Sequence, residues 1–480
     1  IGAGMAGIAS VIKLREAGID DVAVFEKAHD VGGTWRENTY PGIACDVPSH
    51  LYSYSFAPNA DWTHTFSPGE QIQTYFQGVA HSEGVYERTR FGDEVASLDY
   101  DDGRWTLATA SGHRDDFDVV IAATGVLHHP NVPDLPGLGS FAGAAFHSAR
   151  WDHDVPIDGR RVGVIGTGSS AVQISTALVD QVAHLDLFQR TPQWIMPVDN
   201  TPYDEVQRRA FRDDPALMRQ ARDGLAQAFA DHFANAVIDA DSPAMALIGE
   251  ACRAHLDTVA DPALREKLRP DYRAGCKRLV ASGEFYDAIQ APNASLVTEG
   301  IERVEAGGVR TVDGVLHELD VLVLATGFRS DRFLRPIQVR GRDGTCLDDV
   351  WAERPSAHVA LAVPSFPNLF LLNGPNGPVG NFSLIDVAEL QLDYTIQLLD
   401  LLRDGAESVE PTAEAADAFE AARVEATKRT VWVTGCRSWY LDDRGVPAAW
   451  PWSIDHFREV MQAPDLAQYR VTGAEVGANP

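Results

Sequence analysis

Positive charge is scarce in this sequence: 40 lysines and arginines stand against 69 aspartates and glutamates, a formal charge of −29 at pH 7. A surface this acidic repels phosphate backbones and anionic lipids, so we expect no nucleic-acid partner. A local basic pocket for a phosphorylated cofactor is still compatible with it. Long hydrophobic runs are lacking too, since no apolar stretch approaches the roughly 18 residues that a membrane span needs.

Cysteine is also sparse, and its five positions are scattered: Cys45, Cys252, Cys276, Cys346 and Cys436. The sequence has no CxxC pair and no zinc-ligand spacing, so we expect neither a redox dithiol motif nor a metal site. Reduced, mostly buried thiols of a cytoplasmic protein are the interpretation that this pattern favours. No signal peptide is visible either.

What is present is the composition of a globular protein. The 480 residues are 45% hydrophobic and 23% charged, which argues against a disordered or fibrous chain. At about 150 residues per domain, this length suggests about three domains. Residues 473–480 read as a tail.

The first nucleotide-binding motif opens the sequence. Gly2, Gly4 and Gly7 fit GxGxxG, a helical pattern follows over residues 8–17, and the next strand ends in Glu26. In a βαβ unit such glycines admit a pyrophosphate at the helix N-terminus, and the acid binds ribose hydroxyls. A tight turn without a ligand is the alternative. Because Ile1 reads as the last residue of a strand, we expect further residues upstream of it.

A second motif follows the strand predicted over residues 161–165, where Gly166-Thr-Gly-Ser-Ser-Ala171 fits GxGxxA. The next strand leads to an arginine and a threonine instead of an acid, which suits a 2′-phosphate and favours NADPH over NADH. The alternative is that this arginine is only a solvated charge. The expected cofactor contacts are Gly166, Thr167, Gly168, Ser169, Ser170, Gln173, Arg190 and Thr191.

Two such units predict an α/β fold with two Rossmann-like dinucleotide-binding domains, one for FAD and one for NADP. Ala-Thr-Gly recurs at 123–125 and 325–327, as if the chain left one domain and later returned. We therefore expect residues 1–137 and 329–480 to form the FAD domain and residues 138–328 the NADP domain. A helical insertion is expected at 200–272.

The linker between the two motifs is the most specific segment. Phe141, Gly143, His147, Trp151 and Asp152 form FxGxxxHxxxWD. This resembles the fingerprint of the type I Baeyer–Villiger monooxygenases, and it lies between the two nucleotide motifs, as in that family.

The resemblance extends along the whole chain, through a Gly-Gly-Thr-Trp segment, a YPGxxCD loop, a Lys-Arg pair and a C-terminal Trp-Tyr pair. One departure is Val126, where the family commonly has an aromatic residue, and residues 374–384 match only loosely. The further cofactor contacts that the resemblance implies are Gly33, Thr34, Trp35, Asp46, Tyr52, Val95, Lys277, Arg278 and Trp439.

The resemblance also implies a reaction. NADPH reduces the flavin, O2 adds at flavin C4a, and the resulting peroxide anion attacks a ketone, which becomes an ester or lactone. In this interpretation Arg278 is the fixed cation beside the anion and Asp46 orients it. Lys277 joins Arg190 and Thr191 at the 2′-phosphate, while His147 forms hydrogen bonds in the linker.

Other functions stay open at this point. A related flavin monooxygenase that oxygenates amines or sulfides shares the architecture, and sulfoxidation could also accompany ketone oxidation. A disulfide reductase is disfavoured by the missing CxxC, whereas a ferredoxin reductase or a flavin-binding scaffold remains conceivable. A small ketone and O2 are the expected partners, with no obligate protein partner visible, and the sequence does not specify which ketone.

Overall fold

The computed structural model describes residues 1–473. Beyond its first residue, the tail expected at 473–480 lies outside this part of the chain. The helical pattern predicted over residues 8–17 corresponds to the helix Met5–Glu16, and several other helices begin at a side-chain cap, as at Asp204 and Ser242. The α-helices are Met5–Glu16, Thr34–Glu37, Gly69–Ser82, Ser169–Leu178, Glu205–Asp213, Pro215–Phe229, Pro243–Leu256, Pro262–Lys267, Phe285–Ile289, Leu347–Val350, Leu384–Arg403, Ala413–Thr427 and Ile454–Val460.

The first nucleotide-binding unit has the beginning of the chain at the centre of a parallel sheet. The Gly2 N–H donates to the carbonyl oxygen of Phe25 at 2.8 Å, and the Ala123 N–H donates to that of Ile1 at 2.8 Å. Residues 1–2 thus lie between two pairs of strands. These parallel pairs are Val24–Glu26 with Thr89–Phe91, and Val120–Ala122 with Leu369–Leu371.

The second unit is a five-stranded parallel sheet at whose centre the GxGxxA strand lies. Its strands are short and largely apolar, as expected for a sheet covered on both faces. Helix Ser169–Leu178 follows the central strand and packs on the sheet. In spatial order the strands are Ala294–Val297, His184–Phe188, Arg161–Ile165, Val321–Leu324 and Ala144–His147.

Smaller sheets complete the structure. Residues 205–267 are largely helical, and in this segment the helix Pro215–Phe229 continues into a π-helical turn at Ala230–Ala234. The remaining strands are Val95–Asp101, Arg104–Thr109, Arg114–Phe117 and Gln338–Arg340 in one sheet, Ile301–Glu305, Gly308–Thr311 and Leu316–Glu318 in another, and the pairs Ser408–Pro411 with Tyr469–Thr472 and Ile195–Met196 with Val280–Ala281.

Each parallel unit has its own hydrophobic core. The helix Met5–Glu16 packs against the long helix Leu384–Arg403 in one core, and the helical insertion contributes Met245, Ile248 and Leu256 to the other. The predicted α/β fold with two dinucleotide-binding units is confirmed. Within residues 1–473, no helix combines the length and the apolar character that crossing a membrane requires.

The structure corrects the expectation that all five cysteines are thiols. Cys276 and Cys436 form a disulfide, with their Cα atoms 6.1 Å apart. Cys45 and Cys252 are buried free thiols, and Cys346 is a half-buried one. The bonded pair is separated by 160 residues, so no local spacing could have revealed it.

Candidate active site

The first glycine turn brings the backbone of a strand and a helix unusually close. A Cβ atom added at Gly7 would lie 1.9 Å from the carbonyl oxygen of Gly2, so no larger residue fits there. Helix Met5–Glu16 begins at Gly4 without a side-chain cap, which leaves its first N–H groups without such a partner. Uncapped N–H groups and the positive end of a helix dipole are suited to a pyrophosphate.

Glu26 lies at the end of the neighbouring strand and is only 5% exposed. Its Oε2 accepts a hydrogen bond from the Ala3 N–H at 2.8 Å, and its Oε1 accepts one from the Ala28 N–H at 2.9 Å. These bonds orient the carboxylate at the edge of the turn. Each carboxylate oxygen has a second lone-pair site, so a pair of ribose hydroxyls could also be accepted.

A cavity of about 380 Å³ extends from this turn. Its wall includes Asn373, whose buried Oδ1 has no hydrogen-bond partner within the described residues. Such an orphaned acceptor is expected where a polar ligand belongs. The predicted cofactor contacts that line this cavity are Gly2, Gly4, Glu26, Gly33, Thr34, Trp35, Asp46, Tyr52, Val95, Arg278 and Trp439.

Among the three glycines of the first motif, Gly7 does not line the cavity but supports the turn from behind. The part of the wall formed by Val379, Gly380, Phe382 and Leu384 was not predicted from the sequence. This segment matches the family pattern only loosely, and no residue in it carries a recognisable chemical signature.

Arg278 and Asp46 form an ion pair at the cavity wall. Arg278 Nη2 donates to Asp46 Oδ2 at 2.5 Å, and its Nη1 donates to the carbonyl oxygen of Gly380 at 3.2 Å. The negative charge of Asp46 raises the pKa of Arg278 above its usual range, although burial opposes this. The guanidinium is therefore a permanent positive charge, held in place and still about one-third exposed toward the cavity.

The second glycine turn has the same construction. Gly166 has a φ of +127°, and a Cβ atom there would lie 2.2 Å from the carbonyl oxygen of Ala325. Helix Ser169–Leu178 starts at Gly168, again without a side-chain cap. Thr167 Oγ1 donates to the carbonyl oxygen of Thr191 at 2.8 Å, which connects the turn to the next strand end.

The helix of the second turn is hydrogen-bonded to the loop that carries Asp46. Ser170 Oγ donates to Tyr40 Oη at 3.1 Å, and the Tyr40 hydroxyl donates to Gln173 Oε1 at 2.8 Å. Gln173 Nε2 in turn donates to the carbonyl oxygen of Ala44 at 3.0 Å. Ser170 and Gln173 thus connect the second turn to the Asp46 loop through protein contacts.

A basic corner lies beside the second turn. The Lys277 ammonium is 4.8 Å from the centre of the Tyr272 ring. Burial, and then the positive charge of Arg190, lower the pKa of Lys277, and the carboxylate of Asp271 only partly offsets this. Because the two positive charges repel each other, an anion bound between them would stabilise both. Thr191 lies next to Arg190 in this corner.

The linker residue His147 is buried and hydrogen-bonded, as expected. Its Nδ1 accepts from the Ala149 N–H at 3.1 Å, so Nε2 carries the proton and donates to the carbonyl oxygen of Gly327 at 3.0 Å. Burial lowers its pKa. His147 therefore connects the linker to the second Ala-Thr-Gly segment by a hydrogen bond, and it does not line the cavity.

The C-terminal tryptophans divide into two groups. Trp432 and Trp450 are 1% exposed and belong to the hydrophobic cores. Trp439 is 41% exposed, lines the cavity and stacks on Tyr440 with ring centres 4.2 Å apart. Of these three, only Trp439 is placed to contact a ligand.

Comparisons with known proteins agree with this geometry. Residues 1–238 match the family described as flavin-binding monooxygenase-like. The chain is 49% identical over 464 residues to an uncharacterized monooxygenase of Mycobacterium tuberculosis, with 96% of this chain and 93% of the relative covered. A Baeyer–Villiger monooxygenase of Streptomyces coelicolor is 41% identical, with 100% and 93% covered.

Among solved structures, cyclohexanone monooxygenase from Rhodococcus sp. Phi1 bound to NADP+ is similar, with a TM-score of 0.88 and 30% identity. The similarity covers 98% of both chains.

Proposed function

Since the chain belongs to the type I Baeyer–Villiger monooxygenases, a family of flavin-binding monooxygenases, we propose that it converts a ketone to an ester or lactone with NADPH and O2. The observation that carries this proposal is the Arg278–Asp46 pair, a permanent cation at the wall of the cavity that begins at the first glycine turn. The cofactors are FAD and NADPH, as predicted.

The first turn and the cavity fit FAD. The uncapped helix at Met5 suits its pyrophosphate, Glu26 suits the ribose, and the cavity wall from Gly33 to Tyr52 suits the flavin end. When bound and reduced by NADPH, FAD supplies an activated oxygen atom derived from O2. The chain itself contributes a fixed charge and a largely apolar wall.

Arg278 is the residue on which the chemistry depends. A negative charge that develops on oxygen in a dry cavity needs a pre-positioned donor, and an unpaired one is strongly disfavoured. Asp46 and the carbonyl oxygen of Gly380 hold the guanidinium plane, so its remaining N–H groups can face the reacting oxygen. Asp46 is thus a positioning residue for Arg278 as well as part of the cavity wall.

The second turn and the basic corner suit NADPH. The helix that begins at Ser169 can accept the pyrophosphate, in the same way as the first turn. Arg190, Lys277 and the Thr191 hydroxyl can share the 2′-phosphate, which NADH lacks. Trp439, exposed beside the cavity, can cover the cofactor from the C-terminal side.

The division of the chain follows from this assignment. We place the FAD domain at 1–137 and 329–480, and the NADP domain at 138–328 with its helical insertion at 200–272. A small ketone and O2 are the partners, without an obligate protein partner, and the proposed location is the cytoplasm.

The test is product analysis under labelled oxygen. FAD-loaded protein with NADPH, ¹⁸O2 and a panel of cyclic, linear and aryl ketones is expected to give esters or lactones that contain one ¹⁸O atom. A thioether in the same panel separates this reaction from heteroatom oxygenation. Sulfoxide without any ester from the whole panel would contradict the proposal, and the same mixture without NADPH is the control.

A further inference from the structure

We infer that the Cys276–Cys436 disulfide is a redox-sensitive cross-link that positions the C-terminal Trp439–Tyr440 segment against Arg278. This inference rests on the proposed function, because its consequence is the coupling of NADPH oxidation to ester formation. The bond joins two segments that both reach the cavity: Cys276 is two residues before Arg278, and Cys436 is three residues before Trp439.

The two segments meet at Gly380. A Cβ atom added there would lie 2.2 Å from Tyr440 Oη and 3.0 Å from Arg278 Nη1. Tyr440 is 3% exposed, and burial raises the pKa of its hydroxyl, against the opposing effect of the Arg278 charge. A neutral hydroxyl therefore packs beside the guanidinium, and its position helps to determine where the guanidinium lies.

Tyr440 is held by its own contacts, since it is buried in the hydrophobic core and its carbonyl oxygen accepts from the Ala448 N–H at 2.7 Å, but the backbone that precedes it has few partners. In residues 1–473, the backbone of 434–439 forms hydrogen bonds only within 431–441, apart from one. That one is the Cys436 N–H, which donates to Cys276 Sγ at 3.3 Å. The segment includes Gly435, which has a φ of +107°. The disulfide is consequently the covalent connection between residues 434–439 and the Arg278 loop.

Cys436 is the less buried end of the bond, and it is the end that a reductant would reach first. Cys276 is fully buried, but Cys436 is 8% exposed, and space is open beside Gly435. A dithiol would attack Cys436 through its thiolate and form a mixed disulfide. Its second thiol would then close a cyclic disulfide, leaving Cys276 and Cys436 as thiols with two electrons and two protons transferred. Disulfides of cytoplasmic proteins are commonly transient or redox-sensing, which agrees with the proposed location.

The experiment compares air-oxidised and dithiothreitol-reduced FAD-loaded protein. In the oxidised sample, mass spectrometry after alkylation should find Cys276 and Cys436 unmodified and joined. After reduction, the ester formed per NADPH consumed should fall by about tenfold, since a misplacement of about 1 Å can cost about 100-fold in rate. The lost NADPH should appear as hydrogen peroxide, and oxidised dithiothreitol should restore coupling.

A second readout does not depend on turnover. Hydrogen exchange of residues 434–440 and 273–280 should accelerate on reduction, because local opening exposes amides. Cys436→Ser should behave like the reduced protein in either buffer. Cys346→Ser, which removes a half-buried free thiol, should respond to dithiothreitol like the wild type.

These readouts separate the two hypotheses. If no ketone is converted in either redox state, the proposed function fails. Hydrogen exchange then still tests whether the disulfide cross-link holds residues 434–440 in place. The inferred role of the cross-link is wrong if Cys276 and Cys436 are alkylated in air-oxidised protein. It is also wrong if reduction changes neither the ester formed per NADPH consumed nor the hydrogen exchange of these residues. Chemical reduction of the wild type suffices should Cys436→Ser not fold.

Discussion

The two glycine turns share one construction and differ at the strand end that follows. Each has a glycine too crowded for a side chain and a helix that starts without a side-chain cap. The first strand ends in buried Glu26, whereas the second is followed by exposed Arg190. The shared backbone shape suits the pyrophosphate that all dinucleotides have, and in the proposed function the charge of one side chain, negative at Glu26 and positive at Arg190, distinguishes FAD from NADPH. In the same proposal Arg278 acts where the two cofactors meet.

The largest effect is expected from substitution of Arg278, which should change the rate of ester formation. Arg278→Ala should fold and retain FAD, but ester formation should fall by at least about 10²–10³-fold, the usual cost of removing one donor at a developing oxyanion. NADPH that is still consumed should yield hydrogen peroxide. Arg278→Lys should recover little, because a point charge on a flexible stem cannot replace the planar fork. Product analysis with peroxide measurement checks this, and near-normal ester formation by Arg278→Ala would place the cation elsewhere.

The second prediction removes the charge difference between the turns. The double variant Arg190→Ala/Lys277→Ala should lose a preference for NADPH over NADH of about 100-fold or more, since two charged hydrogen bonds are worth about 1.5–3 kcal/mol each. Measuring kcat/KM for both cofactors tests this. Arg104→Ala, on a distant sheet, is the control. A wild type that uses both cofactors equally would remove the role of this corner.

The third prediction alters the acidic strand end. Glu26→Ala should weaken FAD binding by about 1–3 kcal/mol, because it removes the acceptors for ribose hydroxyls. Fluorescence titration of the deflavinated protein with FAD measures the change, and Glu87→Ala serves as an exposed control. The NADPH preference should be unaltered. If FAD affinity were unchanged, the role of Glu26 would be limited to stabilising the turn through its hydrogen bonds with the N–H groups of Ala3 and Ala28.

The smallest effect concerns pH. The pKa of Lys277 is lowered by burial and by Arg190, and lysine is charged only below its pKa. As pH rises toward that lowered value, the charge is lost, so KM for NADPH should rise by about tenfold, the lower end of what one charged hydrogen bond contributes. KM for NADH should not follow. In Arg190→Ala the rise should move to higher pH, and an unshifted profile would show that the two cations do not interact.

The similarity of the turns also explains how much of the site could be predicted. Glycine spacing reports backbone crowding directly, so Gly2, Gly4 and Gly166 were identifiable, and so were the strand-end residues Glu26 and Arg190. The family resemblance supplied the rest, including Asp46 and Arg278, which are 232 positions apart in the chain. No local pattern predicts that contact, because only tertiary packing creates it.

The remaining features of the site could not be predicted, because they too depend on contacts between segments that are far apart in the chain. The cavity wall at 379–384 acts through its shape and through the Gly380 carbonyl, and neither has a sequence signature. The cysteines looked like isolated thiols, because a disulfide requires only that two Cα atoms lie close together in space.

The sequence by itself determined the α/β class, the two turns, the sign of charge at each strand end and the family, since these depend on local sterics, periodicity and motif spacing. Only the tertiary structure decided that Arg278 is held by both Asp46 and the Gly380 carbonyl, and that Trp439 faces the cavity while Trp432 and Trp450 are buried. It also decided that Cys276 is bonded to Cys436. Each of these is a contact between segments far apart in the chain, and such contacts depend on how whole elements pack rather than on any residue's neighbours in sequence.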